Sequence, residues 1–363
     1  MIEDLIRPAI RALADYPARD LDDRGIEVRM HRNEAALPVP AFVVDAVRAL
    51  DGEMLRTYPT ELQRATAESL ARRLGCEPAQ LALGNGADEL LYAVARTVLE
   101  PGDVMLTATP TFGMYARVAA CAGAQIRNVA YAERWSLDPE ALIAAADERT
   151  RLLIIGNPNN PTGDAPSVEA IAAIAAALPR TLIAIDEVYL AFSDRSLVGS
   201  VCAEQPNVVA IGSLSKSAAL AGARVGYAVA DARLAAAFRR SIGPYPIGVA
   251  SLAAANAYLS GGEATAAFER ALRAQVRRSL DALEASLRPG ARAIWRGPAN
   301  FLLADLGPDA SRIVRALGER GIAVRGYDAP ELATMLRFCA ADDGTTTRVV
   351  TALEALLQGA VCA

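Results

Sequence analysis

Val208-Val209-Ala210-Ile211-Gly212-Ser213-Leu214-Ser215-Lys216-Ser217-Ala218-Ala219-Leu220-Ala221-Gly222-Ala223-Arg224-Val225-Gly226-Tyr227 decides how the rest of the chain is read. The apolar run Val208 to Ile211 reads as a buried strand, and it ends in hydroxyls and one lysine. Arg224 follows among small residues, and a second apolar run, Val225 to Ala230, begins at once. A lysine held between apolar segments is desolvated, which favours its neutral amine. A neutral amine can attack an aldehyde and form a Schiff base. Two serines and an arginine nearby suit a phosphate. Ser-x-Ser-Lys also occurs in exposed loops, so the surrounding stretches have to decide its meaning.

Working outward, apolar runs alternate with helical patterns. The strand candidates are Leu81–Leu83, Val104–Thr107, Gln125–Val129, Leu152–Ile155, Leu182–Ile185, Val208–Ile211 and Val225–Val229. Most are unbroken apolar runs, as expected of strands buried on both faces. Helical patterns at Leu90–Leu99, Met114–Ala122 and Val168–Ala177 lie between them. This is the α/β pattern of a mainly parallel sheet with helices on both faces. Ligands of such sheets bind beyond the carboxyl ends of the strands.

Before this region, Arg7 to Tyr16 reads as one helix stopped by Pro17, Glu27 to Met30 as a short strand, and Ala41 to Leu50 as a helix. A further helix runs to Leu74 and is ended by Gly75. After Gly243-Pro244-Tyr245-Pro246, one long helical stretch is expected from Val249 to about Leu287. The remainder alternates short strands (Ala293–Trp295, Phe301–Asp305, Ala323–Arg325, Met335–Cys339) with helices at Ala310–Gly318 and Thr345–Leu357, a small α+β domain.

Composition narrows the function classes. The 363 residues exceed a comfortable single core, so two domains are expected. Hydrophobic residues make up 53% and charged residues 22%, a soluble globular mix, with a net charge of -5 and no basic block for nucleic acid or a membrane surface. Val168 to Leu178 is too short to span a bilayer, and Met1-Ile2-Glu3-Asp4 lacks a basic, then apolar, export signal. The five cysteines are scattered, with no C-x-x-C, so reduced thiols and a cytoplasmic location are expected. His31 is the single histidine, which argues against histidine-based metal clusters and a Ser-His-Asp hydrolase.

Three more stretches carry chemistry. Gly84-Asn85-Gly86-Ala87-Asp88-Glu89 follows a strand and opens a helix, where free N–H groups and the helix dipole favour an anion. Its plain reading is a glycine turn with Asp88 near the N-cap. Asn157-Pro158-Asn159-Asn160-Pro161-Thr162-Gly163 fixes a tight loop at a strand end, where a side-chain amide can meet a ligand oxygen. Asp186-Glu187-Val188-Tyr189 ends the strand Leu182–Ile185. A carboxylate there is costly unless it meets a cation, and a protonated pyridine nitrogen is such a cation. Strand capping or a magnesium site would also account for it, although no G-x-x-x-x-G-K-[ST] is present. Lysine, hydroxyls and phosphate binding together point to covalently held pyridoxal phosphate.

In order, the glycine loop, Asn-Pro-x-x-Pro-Thr-Gly, Asp-x-x-Tyr, Ser-x-Ser-Lys and Arg-x-Gly-Tyr resemble the fold-type I, class I/II pyridoxal-phosphate aminotransferases. Arg7-Pro8 to Tyr16-Pro17, Arg32-Asn33-Glu34, Arg56-Thr57-Tyr58-Pro59, Pro110-Thr111-Phe112 through Met114-Tyr115, Pro244-Tyr245-Pro246, Asn300-Phe301-Leu302 and Leu336-Arg337 resemble the histidinol-phosphate subgroup. The resemblance spans nearly the whole chain. It implies a large domain (41–245) with a mainly parallel seven-stranded sheet. Residues 1–40 would form an arm and part of the small domain, and 246–363 an interdomain helix and the small domain.

The resemblance also implies roles. Lys216 would hold the cofactor and shuttle the substrate proton, and Asp186 would pair with the ring nitrogen. Asn157 and Tyr189 would bond the cofactor's phenolic oxygen, and Phe112 would stack on the ring. Gly86, Ala87, Ser213, Ser215 and Arg224 would form the phosphate site, joined by Tyr58 from the other subunit of a homodimer, and Asp88 would also belong to the cofactor site. Arg337 would bind the substrate's anionic group, with Arg325, Tyr16 and Asn33 near it. The implied partners are an amino donor and 2-oxoglutarate.

Some positions depart from the subgroup. Phe112 replaces a tyrosine, Ala35-Ala36 follows Asn33-Glu34 instead of Asn-Pro, and Phe338-Cys339-Ala340-Ala341-Asp342 follows Arg337 in place of a β-branched run. These leave three amine substrates open: histidinol phosphate, an aromatic amino acid, or a phosphorylated amino acid to be decarboxylated. A non-catalytic effector-binding module is the reading from a different class, and no basic patch precedes residue 40 to support it.

Overall fold

The computed structural model describes residues 2–13, 15, 23–193 and 201–361. The strands in chain order are β1 (Val28–Arg29), β2 (Leu81–Asn85), β3 (Val104–Thr109), β4 (Gln125–Ala130), β5 (Thr150–Gly156), β6 (Leu182–Asp186) and β7 (Val208–Ser213). They continue with β8 (Val225–Val229), β9 (Ala293–Trp295), β10 (Phe301–Asp305), β11 (Ile322–Ala323), β12 (Arg325–Gly326) and β13 (Met335–Cys339).

A seven-stranded sheet has the order β2-β8-β7-β6-β5-β3-β4. Only β8 runs against its neighbours β2 and β7, and the other pairs are parallel. The unbroken apolar runs are explained by a core on each face. Leu153, Ile155, Ile183, Ile185, Val208 and Ala210 pack into one cluster. Their neighbours Leu152, Ile154, Leu182, Ala184, Val209 and Ile211 pack into the other. Successive side chains point to opposite faces, so a strand covered on both sides favours apolar residues at every interior position. At the carboxyl ends of β5, β6 and β7 the polar residues Asn157, Asp186 and Ser213 therefore appear together, along one edge.

A four-stranded antiparallel sheet has the order β12-β13-β10-β9. The helix Glu263–Leu287 lays Leu272, Val276, Leu280, Leu283 and Leu287 into the core beneath it. β1 pairs in parallel with β11, so residues near the start of the chain are tied to the C-terminal region.

Three local expectations change. The stretch from Val249 is two helices, Val249–Ser260 and Glu263–Leu287. Gly261 and Gly262 separate them, Gly262 with φ of 54°. Helical periodicity continues across the break, but two glycines carry the weakest helix propensity short of proline. The first helix joins the large sheet's core through Leu252, Ala255 and Tyr258. The expected strand Ala323–Arg325 is divided, because β11 pairs with β1 and β12 with β13. The expected helix at Arg7–Tyr16 is seen as Pro8–Arg11, and Tyr16 lies outside the described residues. No helix among the described residues is long and apolar enough to cross a membrane.

Candidate active site

A cleft of about 960 Å³ opens beyond the carboxyl ends of β3, β6 and β7. Its floor and walls include Asp186, Tyr189, Lys216 and Arg224, and Arg325 and Arg337 face it from the smaller sheet. The segment His31–Asn33 closes another side.

Asp186 is the last residue of β6 and is 8% exposed. Tyr115 Oη donates to its Oδ2 at 2.8 Å, and the Val188 N–H donates to Oδ1 at 3.1 Å. Burial pushes this carboxyl up to about 6, against the pull of both donors. Two donors leave lone pairs on the carboxylate, and a cation placed against it would reverse the penalty of burial.

Lys216 sits in the short turn Leu214–Ser217 at the end of β7. Ser213 caps that turn by accepting from the Ser215 N–H at 3.1 Å. Lys216 Nζ donates to the Arg32 carbonyl at 2.7 Å. Burial first, then the nearby Arg337 charge, lowers this amine to about 8. At neutral pH the nucleophilic fraction is thus on the order of a tenth, hundreds of times that of an ordinary lysine.

An anion cradle lies alongside. The helix Gly86–Val98 begins directly after β2. Gly86 has φ of 81°, and a Cβ there would collide with the Arg224 guanidinium. A Cβ on Gly226 would collide with the Gly86 backbone. The two glycines therefore let an arginine and a helix N-terminus approach one point. Arg224 Nη2 donates to Asp88 Oδ2 at 3.1 Å, so Asp88 orients the guanidinium. Ser213 Oγ and Ser215 Oγ are 2.8 Å apart at the same edge.

On the opposite wall, Arg337 is 5% exposed. Its Nη1 donates to Asn160 Oδ1 and its Nη2 to the His31 carbonyl, while Nε has no hydrogen-bond partner among the described residues. Its guanidinium lies 5.4 Å from the centre of the Phe301 ring. Arg325 lines the same cleft, stacked 5.7 Å from the Tyr327 ring centre. Asn33 Nδ2 donates to Tyr189 Oη at 2.8 Å, and Asn300 holds the Asn33 and Glu34 carbonyls at 3.1 and 3.2 Å. Asn33 thus positions Tyr189.

Most of the residues singled out in the sequence converge on this cleft: Ala87, Asp88, Phe112, Asp186, Tyr189, Ser213, Ser215, Lys216, Arg224, Asn33, Arg325 and Arg337 all line it. Asn157 and Gly86 are buried beside it without lining it. The Asn157 N–H donates to the Asp186 carbonyl at 2.8 Å, which ties the ends of β5 and β6 together. Tyr58 is 76% exposed and stacks on Tyr245 at 4.5 Å, away from this chain's own cleft. Sequence reasoning assigned no role to Tyr115, Asn160 or Asn300. All three were visible only as members of motifs.

The residues fit pyridoxal phosphate on three observations made of this chain: an amine shifted toward neutrality, a buried carboxyl whose charged form burial penalises, and a glycine-lined helix N-terminus that a Cβ would close against Arg224. Comparison with known proteins agrees. The family described as "Aminotransferase class I and II" matches residues 28–356. A histidinol-phosphate aminotransferase from Xylella fastidiosa is 34% identical over 361 residues, 97% of this chain and 96% of that protein. The solved histidinol-phosphate aminotransferase from Sinorhizobium meliloti, in complex with pyridoxal-5'-phosphate, superposes with a TM-score of 0.85 at 29% identity, covering 98% of both chains. The aspartate aminotransferase from Thermus thermophilus with maleate shares the fold, with a TM-score of 0.82 at 24% identity over 97% of this chain and 99% of that one.

Proposed function

The chain belongs to the class I and II aminotransferases, and from that premise we propose that it transfers the amino group of histidinol phosphate to 2-oxoglutarate, giving imidazole-acetol phosphate and glutamate, in histidine biosynthesis. It is a pyridoxal-phosphate-dependent transaminase of fold type I. The observation that carries the substrate is the pair Arg325 and Arg337, brought into one cleft opposite Lys216. Both donors, histidinol phosphate and glutamate, present an anion with paired oxygens, which one guanidinium fork can grip.

The cofactor, when bound, supplies an electron sink that makes the substrate's Cα–H bond acidic. The protein's residues do the rest. Asp186 would meet the ring nitrogen, where a carboxylate stabilises the protonated form. Tyr189 and Asn157 would serve the phenolic side, and Phe112 would offer its ring face. Gly86, Ala87, Ser213, Ser215 and Arg224 would hold the phosphate, with Asp88 fixing the arginine. Lys216 Nζ removes the Cα proton and returns one in the complementary half-reaction. Its lowered proton affinity enlarges the neutral fraction available for that task. Arg337 orients the substrate so that the Cα–H bond lies within reach of Lys216.

The proposal includes a homodimer working in the cytoplasm. Exposed Leu55 (66%) and the stacked pair Tyr58–Tyr245 form an apolar surface suited to a second copy of this chain, whose cofactor phosphate Tyr58 would reach. Within each copy, residues 41–245 carry the cofactor-binding sheet, and the arm with residues 246–363 supplies the closing wall. Measuring kcat/KM for histidinol phosphate against phenylalanine, each with 2-oxoglutarate, tests the assignment. If phenylalanine is preferred tenfold or more, about 1.4 kcal/mol in the transition state, the substrate is wrong while the enzyme class stands.

A further inference from the structure

Tyr115 is 2% exposed, and its hydroxyl donates to the Asp186 carboxylate at 2.8 Å. It belongs to the helix Met114–Ala122, on which Phe112 abuts its ring edge-on, with centroids 5.8 Å apart and planes at 90°. Tyr115 lines the cleft together with Phe112 and Asp186. The tyrosine therefore links the two groups that would meet the cofactor ring, one at its face and one at its nitrogen.

Packing leaves it little freedom. A Cβ added to Gly156, at the end of β5, would sit 3.4 Å from Tyr115 Oη and 3.0 Å from the Asn159 backbone, so the glycine keeps the space through which the hydroxyl reaches β6. A buried hydroxyl that lost its acceptor would be left unsatisfied, as would a buried carboxylate that lost its donor. Each residue thus fixes the other's rotamer. Asp186 Oδ1 is held separately by the Val188 N–H, so the plane of the carboxylate is set by two donors from two different elements.

We infer that Tyr115 is a positioning residue for the cofactor's ring nitrogen, acting through Asp186 and not by touching the ring. Its hydroxyl locks Oδ2, and the locked carboxylate distinguishes a ring carrying a protonated nitrogen from one that does not. This rests on the pyridoxal-phosphate assignment. The two can fail separately, because cofactor capture at Lys216 is scored in the unaltered protein.

The test is binding, not turnover. Apoprotein is titrated with pyridoxal phosphate and with its analogue in which the ring nitrogen is replaced by C–H, for the natural chain and for Tyr115→Phe. Inorganic phosphate is titrated alongside as a check on the cradle. The natural chain should prefer the nitrogen-bearing ring. Tyr115→Phe, which keeps the buried ring, should lose about tenfold or more of that preference, the scale of one hydrogen bond to a charged group. Phosphate affinity should not change. Equal weakening of both ring compounds, or an unchanged ratio, overturns the inference and leaves Tyr115 a packing residue. Should Tyr115→Phe not fold, Tyr115→His keeps an N–H donor and should retain part of the preference. A folded histidine variant with none would equally overturn it. If the natural chain binds neither ring compound, the cofactor assignment itself falls.

Discussion

Arg325 and Arg337 stand directly opposite each other across the antiparallel pair β12–β13. Directly opposed side chains on such a pair share one face of the sheet, and like charges there repel. This sheet turns that face to the cleft. Two guanidinium groups that line one wall of a cavity can engage an anion together, and a dianion gains more from the second positive charge than a monoanion does. In the proposed reaction this register would bear on substrate choice as well as on substrate binding.

Removing the two arginines should accordingly have unequal effects. Arg337→Ala loses a buried guanidinium and leaves the Asn160 side chain and the His31 carbonyl without their donor. Both half-reactions should fall, by about ten- to a hundredfold in kcat/KM. Arg325→Ala should slow the histidinol-phosphate half-reaction more than the glutamate one, because the phosphate carries the greater charge. Single-turnover kinetics with each donor would show it. Equal losses for the two donors in Arg325→Ala would remove Arg325 from phosphate recognition.

Lys216 should capture pyridoxal phosphate in a pH-dependent manner. Burial depresses the amine to about 8, so the neutral, reactive form falls about tenfold for each pH unit below that value. Stopped-flow mixing of apoprotein with cofactor should give a rate that rises to a plateau near pH 8, not near that of an ordinary lysine. Lys216→Ala should bind the cofactor without developing the lysine-dependent visible absorbance. An unchanged spectrum in that variant would dismiss the assignment.

How far the sequence announced this site depends on what each part is made of. The ends of β5, β6 and β7 were legible because doubly covered strands favour apolar residues, so Asn157, Asp186 and Ser213 marked the sheet's active edge. The opposition of Arg325 and Arg337 was not. It depends on the short strand β12 leaving β11's register after Val324, and nothing in three consecutive residues signals a change of partner. The Lys216–Arg32 contact was hidden for another reason: the acceptor is a backbone carbonyl, which every residue possesses. The Tyr115–Asp186 bond joins a helix to a distant strand end, and a tyrosine in an amphipathic helix reads as core until its hydroxyl's partner is seen.

Gly86→Ala should impair the anion cradle specifically. The residue combines φ of 81° with a Cβ position already taken by the Arg224 guanidinium. Alanine disfavours that backbone conformation by about 1–2 kcal/mol and would push Arg224 off Asp88. Affinity for pyridoxal phosphate should drop more than affinity for pyridoxal, which lacks the phosphate. Isothermal titration of both would settle it, and equal losses would place the cradle elsewhere.

Asp186 should make the apoprotein less stable as pH rises. Its folded-state value is raised from 3.8 to about 6, so between those values the folded chain holds a proton that the unfolded chain has released. Stability attributable to this group is therefore intact below about 4 and is lost as pH climbs through 6, a change on the order of 3 kcal/mol. Other carboxylates titrate in the same window, so the informative quantity is the difference between the natural apoprotein and Asp186→Asn. Thermal melts should show the asparagine variant gaining several degrees on the natural chain between pH 4.5 and 7.5. Adding pyridoxal phosphate should reverse that ranking at pH 7.5, because a ring-nitrogen cation then offsets the buried charge in the natural chain alone. A variant whose advantage does not change with pH would mean that Asp186 is not destabilised by burial. A variant equally stabilised by the cofactor would mean that no cation meets this carboxylate.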